Sequence, residues 1–197
     1  MKILILLVVA LIPTLSYAQD SDQVRRMFEA GQYQQVVEAA PPDAPPGVLF
    51  TAAQSQLKLG ASDQAREVYR MLAERPEDDP WHFIGVSGQQ LIDDQADAAA
   101  ESAERAISMD DGLAEAHYQR GLALAKKQDW RNGAAEFDRV SELNPSHAYA
   151  HYYGGLMHYR AGRPDRMANH FEQFLKLAPD APERPEVLQI MKTVRGR

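Results

Sequence analysis

The chain has 197 residues, 45% hydrophobic and 25% charged, as in an ordinary globular protein of one domain or one short repeat array. It contains no cysteine, which excludes disulfides, zinc–thiolate sites and a lipid anchor on an N-terminal cysteine. The formal net charge of −7 disfavours general nucleic-acid binding, which needs a basic face to neutralise phosphates.

Residues 1–18 read as a secretory signal peptide. Lys2 is a short positive segment, Ile3–Ile12 is an unbroken apolar run, and Ser16-Tyr17-Ala18 supplies the small residues a signal peptidase needs. Cleavage after Ala18 is the expectation, giving a periplasmic or secreted protein with no stable membrane insertion. The alternative is an uncleaved anchor. Ten apolar residues rise only about 15 Å as a helix, roughly half a bilayer's hydrocarbon core, and Pro13 interrupts any extension.

Residues 19–45 form an N-terminal helical cap or truncated repeat. Ser21–Ala30 and Tyr33–Ala40 have apolar residues at helical spacing and are broken at Gly31. Pro41, Pro42, Pro45 and Pro46 remove amide donors, so no helix crosses that segment.

From Pro46 the chain reads as four copies of equal length, over 46–79, 80–113, 114–147 and 148–181. The last two copies match place by place. Gly121 and Gly155 hold the eighth place, Phe137 and Phe171 the twenty-fourth, and Pro145 and Pro179 the thirty-second. Projected backwards, the frame places Ala53, Ala65 and Tyr69, then Ser87, Ala99 and Ala103, at the eighth, twentieth and twenty-fourth places. A small residue lets two helices approach, and the facing helix inserts an aromatic or aliphatic knob. The second copy departs by carrying Ala103 in place of a ring. Residues 182–197 read as a C-terminal capping helix whose Val187, Leu188, Ile190, Met191 and Val194 cover the last apolar face.

A period of about 34 residues with these landmarks resembles the tetratricopeptide repeat (TPR) family, a helix–turn–helix unit. The resemblance implies an all-α, right-handed superhelical array with a non-catalytic role in protein–protein binding, as an adaptor or assembly factor of the cell envelope. It also implies that the first helix of each unit lines a concave surface through its second, fifth, ninth and twelfth places. Those places read Gly47, Phe50, Gln54, Leu57; Trp81, Ile84, Gly88, Leu91; Glu115, Tyr118, Leu122, Ala125; and Tyr149, Tyr152, Leu156, Tyr159. The Lys/Arg/Asn clamp for a C-terminal carboxylate is missing. An aromatic and aliphatic groove remains, with Phe50, Trp81, Tyr118, Tyr149, Tyr152 and Tyr159 as candidate contacts for a peptide or partner helix. Equally, neighbouring helices or the N-terminal cap cover these residues.

No phosphate loop, nucleophile elbow or cysteine nucleophile is present, so no catalytic residue and no cofactor is assigned. Asp93-Asp94 and Asp110-Asp111 fall at helix joints and read as turn and cap residues. His147 and His151 stand four apart, His158 lies two turns on, and His170 is on the partner helix. No HExxH glutamate accompanies them. His117 and His151 share the fourth place of successive copies, which suggests packing at a helix seam, and no metal site is assigned. Charge is uneven, with 5 Lys/Arg against 13 Asp/Glu over 46–113 and 13 against 10 over 114–197. Two alternatives to the adaptor stand: self-association with the groove closed against a second copy, and a metal- or haem-handling module using the histidines.

Overall fold

Among the described residues proline starts three of the helices and a left-handed turn ends five of them, and these local rules set the helix boundaries. The structure, a computed structural model, describes residues 17–195, so the expected signal peptide lies outside it except for its last two residues. All regular structure among the described residues is α-helical. In chain order the helices are α1 (Tyr17–Glu29), α2 (Tyr33–Glu38), α3 (Pro46–Lys58), α4 (Ser62–Ala73), α5 (Pro80–Ile92), α6 (Ala96–Met109), α7 (Ala114–Lys126), α8 (Trp130–Leu143), α9 (Ala148–Arg160), α10 (Pro164–Leu177) and α11 (Arg184–Arg195). From α3 to α10, each packs chiefly on its neighbours in sequence, giving a superhelical stack of helix pairs.

Pro46, Pro80 and Pro164 stand at first helical positions, where the missing amide hydrogen costs nothing. Asp79 caps α5 by accepting from the Trp81 amide at 3.0 Å, and Asp129 accepts from the Asn132 amide of α8. Within each of the four pairs the turn is the same. Gly60, Asp94, Gln128 and Gly162 hold the same place in successive copies, all at positive φ. The following amide reaches back to a carbonyl in the last helical turn, as in Ala61 to Gln56 and Asp129 to Leu124. This is the Schellman end of a helix, which satisfies carbonyls otherwise left without partners.

The small-and-large pairing expected from the repeat is present. A methyl on Gly121 would lie 2.8 Å from the Phe137 ring, and one on Gly155 would meet Phe171 closer still. In α5–α6 no ring is used. Ala99, Ala103 and Ala106 are wholly buried, and the Ser87 hydroxyl donates to the Ala99 carbonyl at 2.9 Å. At the ends, Val24, Phe28 and Val36 cover the first pair and Val187 and Met191 the last, while Leu188 stays exposed.

Candidate functional site

The concave face has two ends with different fates. At the aromatic end, α1 and the loop after α10 close in. The Phe28 ring lies 4.8 Å from that of Tyr149, the Tyr33 hydroxyl is 3.0 Å from the Tyr149 hydroxyl, and Glu29 accepts from the Ala148 amide at the start of α9. From the opposite side Tyr149 donates to Glu183 at 2.6 Å and Tyr152 donates to Glu186 at 2.8 Å. Lys58, at the end of α3, pairs with the same Glu183 at 2.6 Å. Phe50 packs edge-on to Tyr118 and Trp81.

This closure corrects the open aromatic groove. Phe50, Tyr118, Tyr149 and Tyr152 are interior, with Tyr149 0% and Tyr152 7% exposed; Trp81 and Tyr159 are half-buried. The reason is area: rings bury more apolar surface than any other side chains, and α1 brings Val24 and Phe28 to cover them. Burial, reinforced by the carboxylate acceptors, pushes the Tyr149 and Tyr152 hydroxyls far above their usual range, so they remain donors.

The other end stays open. Leu57, Leu91, Leu122 and Ala125, together with Ile92, Gln54 and Tyr153, line a groove of about 550 Å³ across α3, α5 and α7. Lys58 and Lys126 also line it, and Lys126 pairs with Asp94. Leu57, Leu91, Leu122 and Ala125 fall at ninth and twelfth places of the concave set, and Ile92 lies just beyond it at the thirteenth. The sequence offers the same signal for these residues as for the rings, but large rings draw attention first.

The histidines divide by role. His147 caps α9, its Nδ1 accepting from the Ala150 amide at 3.2 Å, and burial holds it at about 4. It therefore does not converge with His151 on a metal, despite the spacing of four. His117 and His151 are seam residues. Each places Nε2 against a carbonyl six residues back, Asp111 at 3.2 Å and Pro145 at 3.1 Å. His117 also meets Glu136 at 2.7 Å, and despite burial that carboxylate raises its pKa. His158 and His170 both reach Asp138 on α8, a residue the sequence does not single out because the three lie on three helices.

Residues 118–182 match a family model described as a tetratricopeptide repeat, and residues 48–77 match a second model of the same description. With the helix-pair stack, these matches support the tetratricopeptide-repeat family. No curated protein matches the chain. Among solved structures it is similar to TTC0263, a thermophilic TPR protein of Thermus thermophilus. That likeness has a TM-score of 0.64 and 17% identity, covering 90% of this chain and 100% of that one. MamA aligns with a TM-score of 0.51 and 19% identity over 81% of this chain and 90% of its own. YrrB, described as a TPR protein with an unusual peptide-binding site, aligns with a TM-score of 0.51 and 16% identity over 92% and 91%. These likenesses are to the fold. Among the described residues no helix is long and apolar enough to cross a membrane.

Proposed function

We propose that the protein is a non-catalytic interaction scaffold whose aliphatic groove takes a helical segment of a partner protein. The observation that carries this is the open half of the concave face. Leu57, Leu91, Ile92, Leu122 and Ala125 form one continuous apolar surface on rigid helices. A surface of this kind marks an interaction site, and helix-in-groove docking reads it through spaced aliphatic anchors. Lys58 and Lys126 on the rim are already paired with Glu183 and Asp94 of this chain, so the apolar walls rather than rim charge carry the recognition. The repeat architecture, shared with a protein described as having a peptide-binding site, agrees with this reading.

The test is a photo-crosslinking residue placed at Leu91 or Leu122, with Glu67 on the exposed surface as control. A discrete protein adduct from the groove positions alone, lost on Leu57→Glu, is expected. Adducts of equal yield from Glu67, or none from the groove, would contradict it. A chain-to-chain adduct would identify a second copy as the occupant.

The setting we propose is the cell envelope, on the strength of Lys2, Ile3–Ile12 and Ser16-Tyr17-Ala18. Intact-mass measurement of exported protein should give a chain beginning at Gln19. A mass retaining residues 1–18 would refute export by cleavage.

A further inference from the structure

We propose that Asp138, His158 and His170 form a binding site for a divalent transition cation of the zinc type, supported by His151 from behind. The site lies on α8, α9 and α10, away from the groove on α3, α5 and α7, and stands whether or not the groove binds a partner. One oxygen focuses it. Asp138 Oδ1 lies 2.9 Å from His158 Nε2 and 2.8 Å from His170 Nε2, and the ligand atoms of all three residues fall within 4.8 Å of one another. Two imidazoles and one carboxylate, without a thiolate, suit a borderline cation such as zinc better than calcium or magnesium, which prefer oxygen alone. Zinc held by nitrogen and oxygen at about 2.0–2.2 Å sets its ligand atoms roughly 3 Å apart, so small side-chain shifts would admit it.

The hydrogen bonds behind the site fix which nitrogen is free. His151 Nε2 is 3.1 Å from the Pro145 carbonyl, which can only accept, so His151 carries its proton there and offers a lone pair at Nδ1. That Nδ1 is 3.3 Å from His170 Nδ1. His170 must then present N–H at Nδ1, and a neutral His170 is left with its Nε2 lone pair facing the Asp138 carboxylate. Two electron-rich atoms only 2.8 Å apart need a positive centre between them, either a second proton on His170 or a metal ion, and the test below separates the two. A ligating histidine whose other nitrogen donates to an outer partner is the usual arrangement around a metal. That outer partner exists for His170 and not for His158, which is wholly buried with no protein partner at Nδ1, so His170 is the better oriented of the two ligands.

The equivalent seam one repeat earlier is built differently. There His117 has the same carbonyl contact, but its Nδ1 meets the carboxylate of Glu136, which holds the place that His170 takes in the next copy. The pairing of histidine with histidine, and Asp138 beyond it, is particular to α8–α10. Arg166 holds the other Asp138 oxygen at 3.1 Å and is 63% exposed, so its positive charge opposes a dication and is free to move away.

The full chain, stripped with chelator, would be titrated with zinc by calorimetry and with cobalt by visible absorption. One ion per chain is expected, together with a cobalt d–d band. Asp138→Asn and His170→Gln should each weaken binding at least about tenfold, and His151→Ala by a similar factor through lost orientation. His82→Gln should leave affinity unchanged, with folding of every variant checked by circular dichroism. Arg166→Ala perturbs only an exposed side chain and should tighten binding several-fold, which keeps the test sound if a core variant unfolds. Absence of a bound ion would overturn the proposal. So would undiminished affinity in Asp138→Asn and His170→Gln, or an Arg166→Ala affinity no tighter than that of the parent. A shared proton alone at Asp138, seen as imidazole nitrogen resonances that zinc does not move, would also overturn it.

Discussion

His147 shows how one side chain ties local geometry to pH. As the cap of α9 it works only as the neutral ring, because its Nδ1 must accept the Ala150 amide. Burial lowers its pKa to about 4, with the Arg25 guanidinium and His151 adding to the effect. The unfolded chain takes up that proton near pH 6.5, whereas the folded chain does so only near 4. Stability is therefore full above pH 6.5 and is lost as pH falls towards 4, by up to about 3 kcal/mol. His117 acts in the opposite sense: its raised pKa contributes stability below pH 6.5 that disappears as pH rises through the folded value. Replacing His147 with asparagine, which caps without titrating, should flatten the acid limb of urea-measured stability between pH 6.5 and 4. An unchanged acid limb would exclude His147 as its source.

The helix pair is the unit that the sequence reveals most fully. Gly121 against Phe137 and Gly155 against Phe171 each join the two helices of one copy, so the small-and-large landmarks report contacts made within that copy. The turn at the fifteenth place is equally local, yet it carries a strain that side-chain patterns do not display. Asp94 and Gln128 occupy left-handed backbone at φ of 62° and 59°, where Gly60 and Gly162 sit in the sister copies. A side chain with a Cβ there costs roughly 1 kcal/mol. Gln128→Gly should thus raise stability, by about 0.5 kcal/mol after the entropy glycine adds to the unfolded chain. A loss on that substitution would contradict the assigned strain. In the C-terminal helix Val187 and Met191 are buried, while Leu188 of the same apolar stripe stays exposed. Its lead-in and first turn do more, because Glu183 and Glu186 accept from Tyr149 and Tyr152, and Glu183 pairs with Lys58. Deleting residues 183–197 should lower the thermal midpoint on the order of 10 °C, since the deletion removes apolar burial and leaves Lys58 without its carboxylate. A midpoint that does not move would show α11 to be dispensable.

At the scale of the whole molecule the chain closes on itself, and this is what the periodicity could not convey. Tyr33 meets Tyr149 across 116 residues, and Lys58 meets Glu183 across 125. No repeat frame encodes pairings of that separation. The aromatic positions of the concave face consequently look identical in sequence whether they are bare or covered. Asp138 is hidden in the sequence for the same reason, since its histidine partners come from the next repeat. The concave face is thus divided into an interior aromatic half and an open aliphatic half. Thermal denaturation of Tyr149→Ala beside Leu122→Glu, followed by circular dichroism, tests that division most directly. Tyr149→Ala should cost roughly 3–5 kcal/mol, as large-to-small changes in a core do, whereas Leu122→Glu should cost about 1 kcal/mol or less. A mild Tyr149→Ala with a severe Leu122→Glu would contradict the division.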